Sequence, residues 1–189
     1  MDSAIPAFTR ALAESAGELI KKERAVLESL ETSYKDGVEL VTHADIAADK
    51  FICDAIRKAY PEHRILAEES APDMRDISSF KGPLWIIDPI DGTVNYAHGH
   101  FQSAVSIAYA EGGRVHCAVV CNPFVAETFH AILGQGAFLN DKAITVAQKT
   151  ELRRALVATG FPYIKGDMTP LLRRLALVLQ ECADLRRLG

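Results

Sequence analysis

The sequence predicts an α+β fold: a layered α/β sandwich in which an antiparallel sheet is packed by two amino-terminal helices, followed by the start of a second α/β domain. Three observations carry this reading. Apolar residues recur every three or four positions through the first sixty residues, as on amphipathic helices. From Arg64 to Leu139 the texture changes to short apolar runs separated by Gly-rich turns, which reads as strands. After residue 150 a strand, a helix and a further extended run follow in order, a pattern typical of a new α/β unit. The expected division is therefore 1–150 and 151–189.

Each element has its own signals. Ile5, Phe8, Leu12, Ala16, Leu19, Ile20, Val26, Leu27 and Leu30 place one helix over most of residues 3–31, and Lys35-Asp36-Gly37 breaks it. A second helix follows Thr42-x-x-Asp45 through Ile46, Phe51, Ile52, Ala55, Ile56 and Ala59, and stops at Tyr60-Pro61. Within that start, Asp45 reads as a capping-box acid reaching back to the Thr42 N–H. Arg64 to Ala67 is a short strand, and the polar stretch from Ala71 to Pro83 reads as a loop. Trp85 to Ile87 is a buried strand that Pro89, with no N–H to give, should end. The runs 103–111 and 114–121 flank Gly112-Gly113, a strong hairpin signal. Glu127–Leu133 and Ala137–Leu139 continue the sheet through Gly134-Gln135-Gly136. Ala155–Thr159 is a strand, Thr169-Pro170 opens a helix through Leu171, Leu175, Leu179 and Cys182, and Leu185 begins a further run.

Composition narrows the classes. The 189 residues are 49% hydrophobic and 24% charged, with a net charge of −4, which supplies a core and gives no reason to expect nucleic acid or an anionic membrane as partner. No apolar run is long enough to span a bilayer, and the amino terminus lacks a basic-then-apolar leader. Cys53, Cys117, Cys121 and Cys182 form no C-x-x-C pair, so free thiols in a reducing cytoplasm are expected.

The chemistry concentrates in Trp85-Ile86-Ile87-Asp88-Pro89-Ile90-Asp91-Gly92-Thr93-Val94-Asn95-Tyr96. An apolar run delivers two carboxylates into a turn stiffened by Pro89 and opened by Gly92. The Ile90 carbonyl is expected to turn away from any ladder. Gly92 lets backbone N–H groups approach an anion, and Thr93 adds a hydroxyl. Such donors suit a hard dication holding a phosphate.

This string resembles the signature of the inositol monophosphatase family, magnesium-dependent phosphatases of small phosphorylated metabolites. Leu66-Ala67-Glu68-Glu69-Ser70 resembles that family's acidic G-E-E segment, with Ala67 in place of Gly, and Val41-Thr42-His43-Ala44-Asp45 resembles its V-T-x-x-D element. Gly160-Phe161-Pro162-Tyr163 is similar to a stretch found in bacterial members. The resemblance implies a phosphomonoester hydrolase of inositol monophosphate or a similar polyol or sugar phosphate, acting by attack of a metal-activated water. It implies Mg2+ held by Glu68, Asp88, the Ile90 carbonyl and Asp91, a nucleophile oriented by Thr93 and Asp45, and Glu68 at the catalytic centre. Substrate contacts fall to Asp91, Gly92 and Thr93, and the expected assembly is a homodimer.

Other members of the superfamily leave fructose-1,6-bisphosphatase, 3′-phosphoadenosine 5′-phosphate phosphatase and histidinol phosphatase open as alternatives, along with a non-catalytic regulatory protein on the same fold. The family's W-D-x-A-A-G-like motif, whose aspartate is a further metal ligand, is not found in these residues. The resemblance therefore implies an incomplete enzyme, with a second metal site lacking one carboxylate. Glu69, His98 and His100 are expected to stay outside the chemistry, Asn95 to brace the turn, and Tyr60, Phe80 and Phe101 to pack.

Overall fold

The structure, a computed structural model, describes residues 2–25, 32–35, 39–68, 80–148, 150–162, 164 and 166–188, with the backbone alone for 32–35 and 39–42. Helix α1, Ile5–Ala25, buries Ile5, Thr9, Leu12, Ala13, Ala16, Gly17 and Ile20. That stripe at spacings of three and four is the expected apolar face. Small residues at its centre bring the helix close to the sheet: a Cβ on Gly17 would stand 3.1 Å from Cys121 Sγ. Helix α2, His43–Ala59, buries Ala44, Ala48, Ile52, Cys53 and Ile56 beside two carboxylates, Asp45 and Asp49. Helix α2 stops at its expected end, the residue before Tyr60-Pro61. The expected continuation of α1 over 26–31, like most of the 71–83 loop, lies outside the described residues.

Seven strands form the main sheet: β3 (Arg64–Ala67), β4 (Leu84–Asp91), β5 (Ala104–Glu111), β6 (Arg114–Asn122), β7 (Glu127–Ile132), β8 (Gly136–Leu139) and β9 (Lys142–Ile144), in spatial order. A short helix, α3 (Thr93–Ala97), leaves β4. Gly112 and Gly113, both at positive φ, turn β5 into β6 as expected. The α+β class holds, with one refinement. The sheet is mixed, because β3 runs parallel to β4, Ile65 opposite Trp85, while the remaining pairings are antiparallel. A parallel pair needs a crossover connection, and residues 69–79 between the two strands lie outside the described residues. An antiparallel pair that the sequence does not predict, β1 (Thr32–Lys35) with β2 (Glu39–Thr42), flanks the Lys35-Asp36-Gly37 helix break.

One face of the sheet meets α1 and α2. Trp85, Ile87, Val105, Ile107, Tyr109, Cys117, Val119 and Cys121 join the helices there in one buried cluster. Trp85 is its anchor. The indole packs edge-on against Phe8 and Tyr109, lies near Tyr60, and donates from Nε1 to His63 Nδ1 at 3.1 Å. Tyr60 thus packs as expected. The four cysteines are free thiols. Beyond residue 150, β10 (Leu156–Thr159) and β11 (Asp184–Arg187) pair in parallel around α4 (Thr169–Glu181), separate from the main sheet. The Thr169 N–H at the start of α4 donates to Asp167 Oδ1 at 2.9 Å. No residue of α4 is fully buried. Among the described residues no helix is long and apolar enough to cross a membrane.

Trp85→Ala should cost about 3–5 kcal/mol, since it leaves a large cavity and an unpaired acceptor on His63. Urea unfolding followed by circular dichroism measures this, and a loss below about 1 kcal/mol would place the anchor elsewhere in the core.

Candidate active site

Strand β4 does not end at Pro89. It runs on to Asp91 through a bulge: Asp88 faces Ser106 and Asp91 faces Ala104, so Pro89 and Ile90 together oppose a single residue, Val105. The expectation failed because a bulge leaves its extra residue unpaired, and a proline there forfeits no ladder bond. The bulge sets the geometry of everything that follows. Ile87 points into the core, so its neighbour Asp88 faces the other side of the sheet. Ile90 is buried, Asp91 is exposed, and the chain enters Gly92 at φ 87°.

Gly92 is required twice over. Its left-handed φ suits glycine, and a Cβ would lie 2.7 Å from the Gln102 carbonyl oxygen. It precedes α3, where Thr93 is the first residue. Thr93 Oγ1 lies 3.0 Å from the Ile90 carbonyl and 3.3 Å from Asp45 Oδ2 on the first turn of α2. A hydroxyl has one proton, so these two acceptors compete for it and the oxygen's lone pairs remain free to accept. Asn95 braces the turn as expected: Nδ2 donates to the Gln102 carbonyl at 2.8 Å and to the Leu188 carbonyl at 2.7 Å.

The carboxylates converge on Asp88. Burial pushes its carboxyl up to about 8, and the charges of Glu68, Asp91 and Asp45, with a hydrogen bond that the protonated carboxyl donates to Glu68, push the same way. Glu68 follows the last residue of β3, and its N–H donates to the Ile87 carbonyl at 3.3 Å, which keeps it alongside β4. Asp88 Oδ1 is buried and has no hydrogen-bond partner. An orphaned buried carboxylate oxygen among three like charges is costly unless a cation meets it, so the donor set fits a hard dication. Among the described residues no three His, Cys, Asp or Glu side chains close into a ready metal cage.

The structure thus brings Glu68, Asp88, Ile90, Asp91, Gly92, Thr93 and Asp45 to one end of β3 and β4. Asp45 is 3% exposed and is met by Thr93, while Glu69 lies outside the described residues. His98 and His100 are exposed. Phe101, expected to pack, is 57% exposed but stacks on Phe124. The sequence reading missed Asp49, one turn beyond Asp45. It is 5% exposed with Oδ1 unpartnered, and Cys53 Sγ lies 3.9 Å from its other oxygen. An acid on the apolar stripe of α2 was the signal for it.

The family model described as "Inositol monophosphatase family" matches residues 2–189. The chain belongs to the inositol monophosphatase family. Curated relatives agree. A "Nus factor SuhB" of Pasteurella multocida is 36% identical over 178 residues, covering 94% of this chain and 66% of that protein, and one of Escherichia coli K12 is 39% identical over 181 residues with the same coverage. The chain thus spans 66% of the length of those relatives. Among solved structures of the family, extragenic suppressor protein SuhB from Bartonella henselae superposes with a TM-score of 0.88 at 34% identity, covering 99% of this chain and 71% of that one. The Thermotoga maritima IMPase superposes at 0.82 with 33% identity, covering 97% and 67%. Family members generally use Mg2+.

Two outcomes test this geometry. Gly92→Ala should lower stability by at least about 1–2 kcal/mol in chemical denaturation, through the positive φ and the clash with Gln102. An alanine variant as stable as the native chain would mean the turn is free to relax. Asp88→Asn acts in the opposite sense. A carboxyl whose folded pKa is raised holds its stability below the unfolded value near 4 and loses it as pH rises through about 8. In chelating buffer above about pH 8 the variant should melt about 2–4 °C higher than the native chain, and Mg2+ should no longer raise its melting temperature. A variant that melts lower in chelator would make Asp88 a structural cap.

Proposed function

We propose that this chain carries the catalytic centre of a magnesium-dependent phosphomonoester hydrolase whose substrate is a small phosphorylated polyol or sugar, inositol 1-monophosphate foremost. The single observation behind the reading is the orphaned Asp88 Oδ1, buried within the charge of Glu68, Asp91 and Asp45. Glu68, Asp88, the Ile90 carbonyl and Asp91 would hold Mg2+. When bound, the metal supplies positive charge against the phosphoryl oxygens and a nucleophile at neutral pH.

The chain's own groups do the rest. Thr93, its proton engaged by Asp45 or the Ile90 carbonyl, presents oxygen lone pairs that orient the attacking water, and Asp45 accepts the proton released through that hydroxyl. The Gly92 and Thr93 amides, beside Asp91, face the phosphate at a turn with no Cβ in the way. Asn95 and the Gln102 carbonyl keep that turn in place. Fructose-1,6-bisphosphate, 3′-phosphoadenosine 5′-phosphate and histidinol phosphate are the alternative substrates within the superfamily.

The name Nus factor borne by the curated relatives supports a second reading, a regulatory protein that uses this fold without turnover. The presence of Glu68, Asp88, Asp91, Asp45 and Thr93 together favours the catalytic one. Phosphate release over this substrate panel, with the native protein's length established by intact-mass spectrometry, separates the two. Magnesium-dependent release is expected, greatest with a polyol monophosphate. Thr93→Ala should then lower kcat by about 10²-fold or more with little change in Mg2+ affinity. No release from any of the four esters would favour the regulatory reading. A Thr93→Ala protein with normal kcat and a shifted magnesium dependence would reassign that residue to the metal.

A further inference from the structure

The carboxylates on β3 and β4 form one half of the site. The other half is the segment from Gly92 to Ser103, which leaves β4, makes α3 and returns to β5. Five residues of helix cannot hold a fixed place alone. The carboxy-terminal end of α1 holds it. Tyr96 is fully buried and its hydroxyl donates to the Ile20 carbonyl at 2.7 Å. One turn further on, the Arg24 guanidinium carbon lies 4.3 Å from the Phe124 ring centre, 5.5 Å from that of Phe101 and 5.7 Å from that of Tyr96. Arg24 Nη1 donates to the His100 carbonyl at 3.0 Å, and Nη2 lies 3.6 Å from where a Cβ on Gly99 would stand. A single side chain thus touches α3, the returning loop and the turn after β6. The loop then delivers the Gln102 carbonyl to Gly92 and Asn95.

We infer that Arg24 is a positioning residue for the phosphate-facing half of the site: stacked among Tyr96, Phe101 and Phe124 and bonded to the His100 carbonyl, it sets where the Gly92–Thr93 turn stands relative to Asp88. A basic residue in the last turn of a helix ordinarily complements the helix dipole from solvent. Arg24 is half-buried instead, and burial lowers its pKa, so its place among the rings is held at a cost that a solvated cation would not meet. Three ring faces and a carbonyl match the planar, weakly hydrated fork of arginine, and a compact lysine ammonium cannot stack in that way.

The inference rests on the proposed phosphatase reading, and its test separates the two. Calorimetry on the native protein, Arg24→Lys and Tyr96→Phe would titrate Mg2+ alone and then inorganic phosphate in saturating Mg2+. The native protein is expected to take up both ligands. Arg24→Lys keeps the charge and should bind Mg2+ within about twofold of native, because Arg24 touches neither β4, which carries Asp88, nor β3, which Glu68 follows. Its phosphate affinity should fall by about tenfold, and kcat should fall more than KM rises, as for a displaced catalytic hydroxyl. Tyr96→Phe, which cuts the other tether, should weaken phosphate in the same selective way. Phosphate affinity unchanged in Arg24→Lys overturns the inference, and so does loss of both ligands in step with a lowered melting temperature, since that is a merely structural role. Native protein that takes up neither ligand overturns the phosphatase reading itself, and the inference with it.

Discussion

The two-against-one bulge in β4 is the constraint on which the rest depends. Without it, period-two alternation would continue through Pro89 and Ile90, sending Asp91 to the same side as Ile87 and the core. With it, Asp88 stays on the face away from the helices, Ile90 is buried, and the chain reaches Gly92 already turning. Proline at the bulge makes the arrangement local: it removes a donor where no partner is offered and narrows the backbone before the turn. The left-handed Gly92, the Thr93 hydroxyl and the return through Gln102 are consequences of where that strand lets go.

Around this point the molecule accepts electrostatic strain. Asp88 is half-buried, with Oδ1 fully so, near three other carboxylates, which no packing argument favours, while on the other face Trp85, Tyr109 and Ile107 bury fully against α1 and α2. The same strand therefore supplies stability on one side and an unfavourable charge cluster on the other. That division is common at functional sites, where a few poorly satisfied groups are tolerated because the surrounding core over-determines their position.

Much of this was legible in the sequence. The apolar stripes of α1 and α2 and the Gly112-Gly113 hairpin are one-dimensional patterns with a direct steric cause, and α2 and the hairpin fell close to the expected bounds. The D-P-I-D-G-T string marked the acidic turn because its residue types are hard to explain as packing. Other features were not legible for equally physical reasons. The β1–β2 pair is only four residues a side, and a Lys-Asp-Gly sequence is as compatible with ending a helix as with following a short strand. Nothing in the four residues of β3 says whether its partner strand runs parallel or antiparallel to it. Pro89 shows that a ladder bond is missing but not that the strand resumes at Asp91. Arg24 and Asp49 look like ordinary helix residues until the fold brings ring faces, or a buried environment, to meet them.

Trp85 is the single tryptophan of the chain, and it sits three residues before Asp88 on the same strand. Its indole N–H is committed to one imidazole nitrogen, His63 Nδ1, which must be unprotonated to accept it. The molecule therefore contains one optical reporter at a known place, with no competing indole to mask it. Its emission reads the environment of β4 from the core side, while the acidic end of that strand faces the opposite way. Changes in the packing around β4 can thus be followed by light alone, without a label.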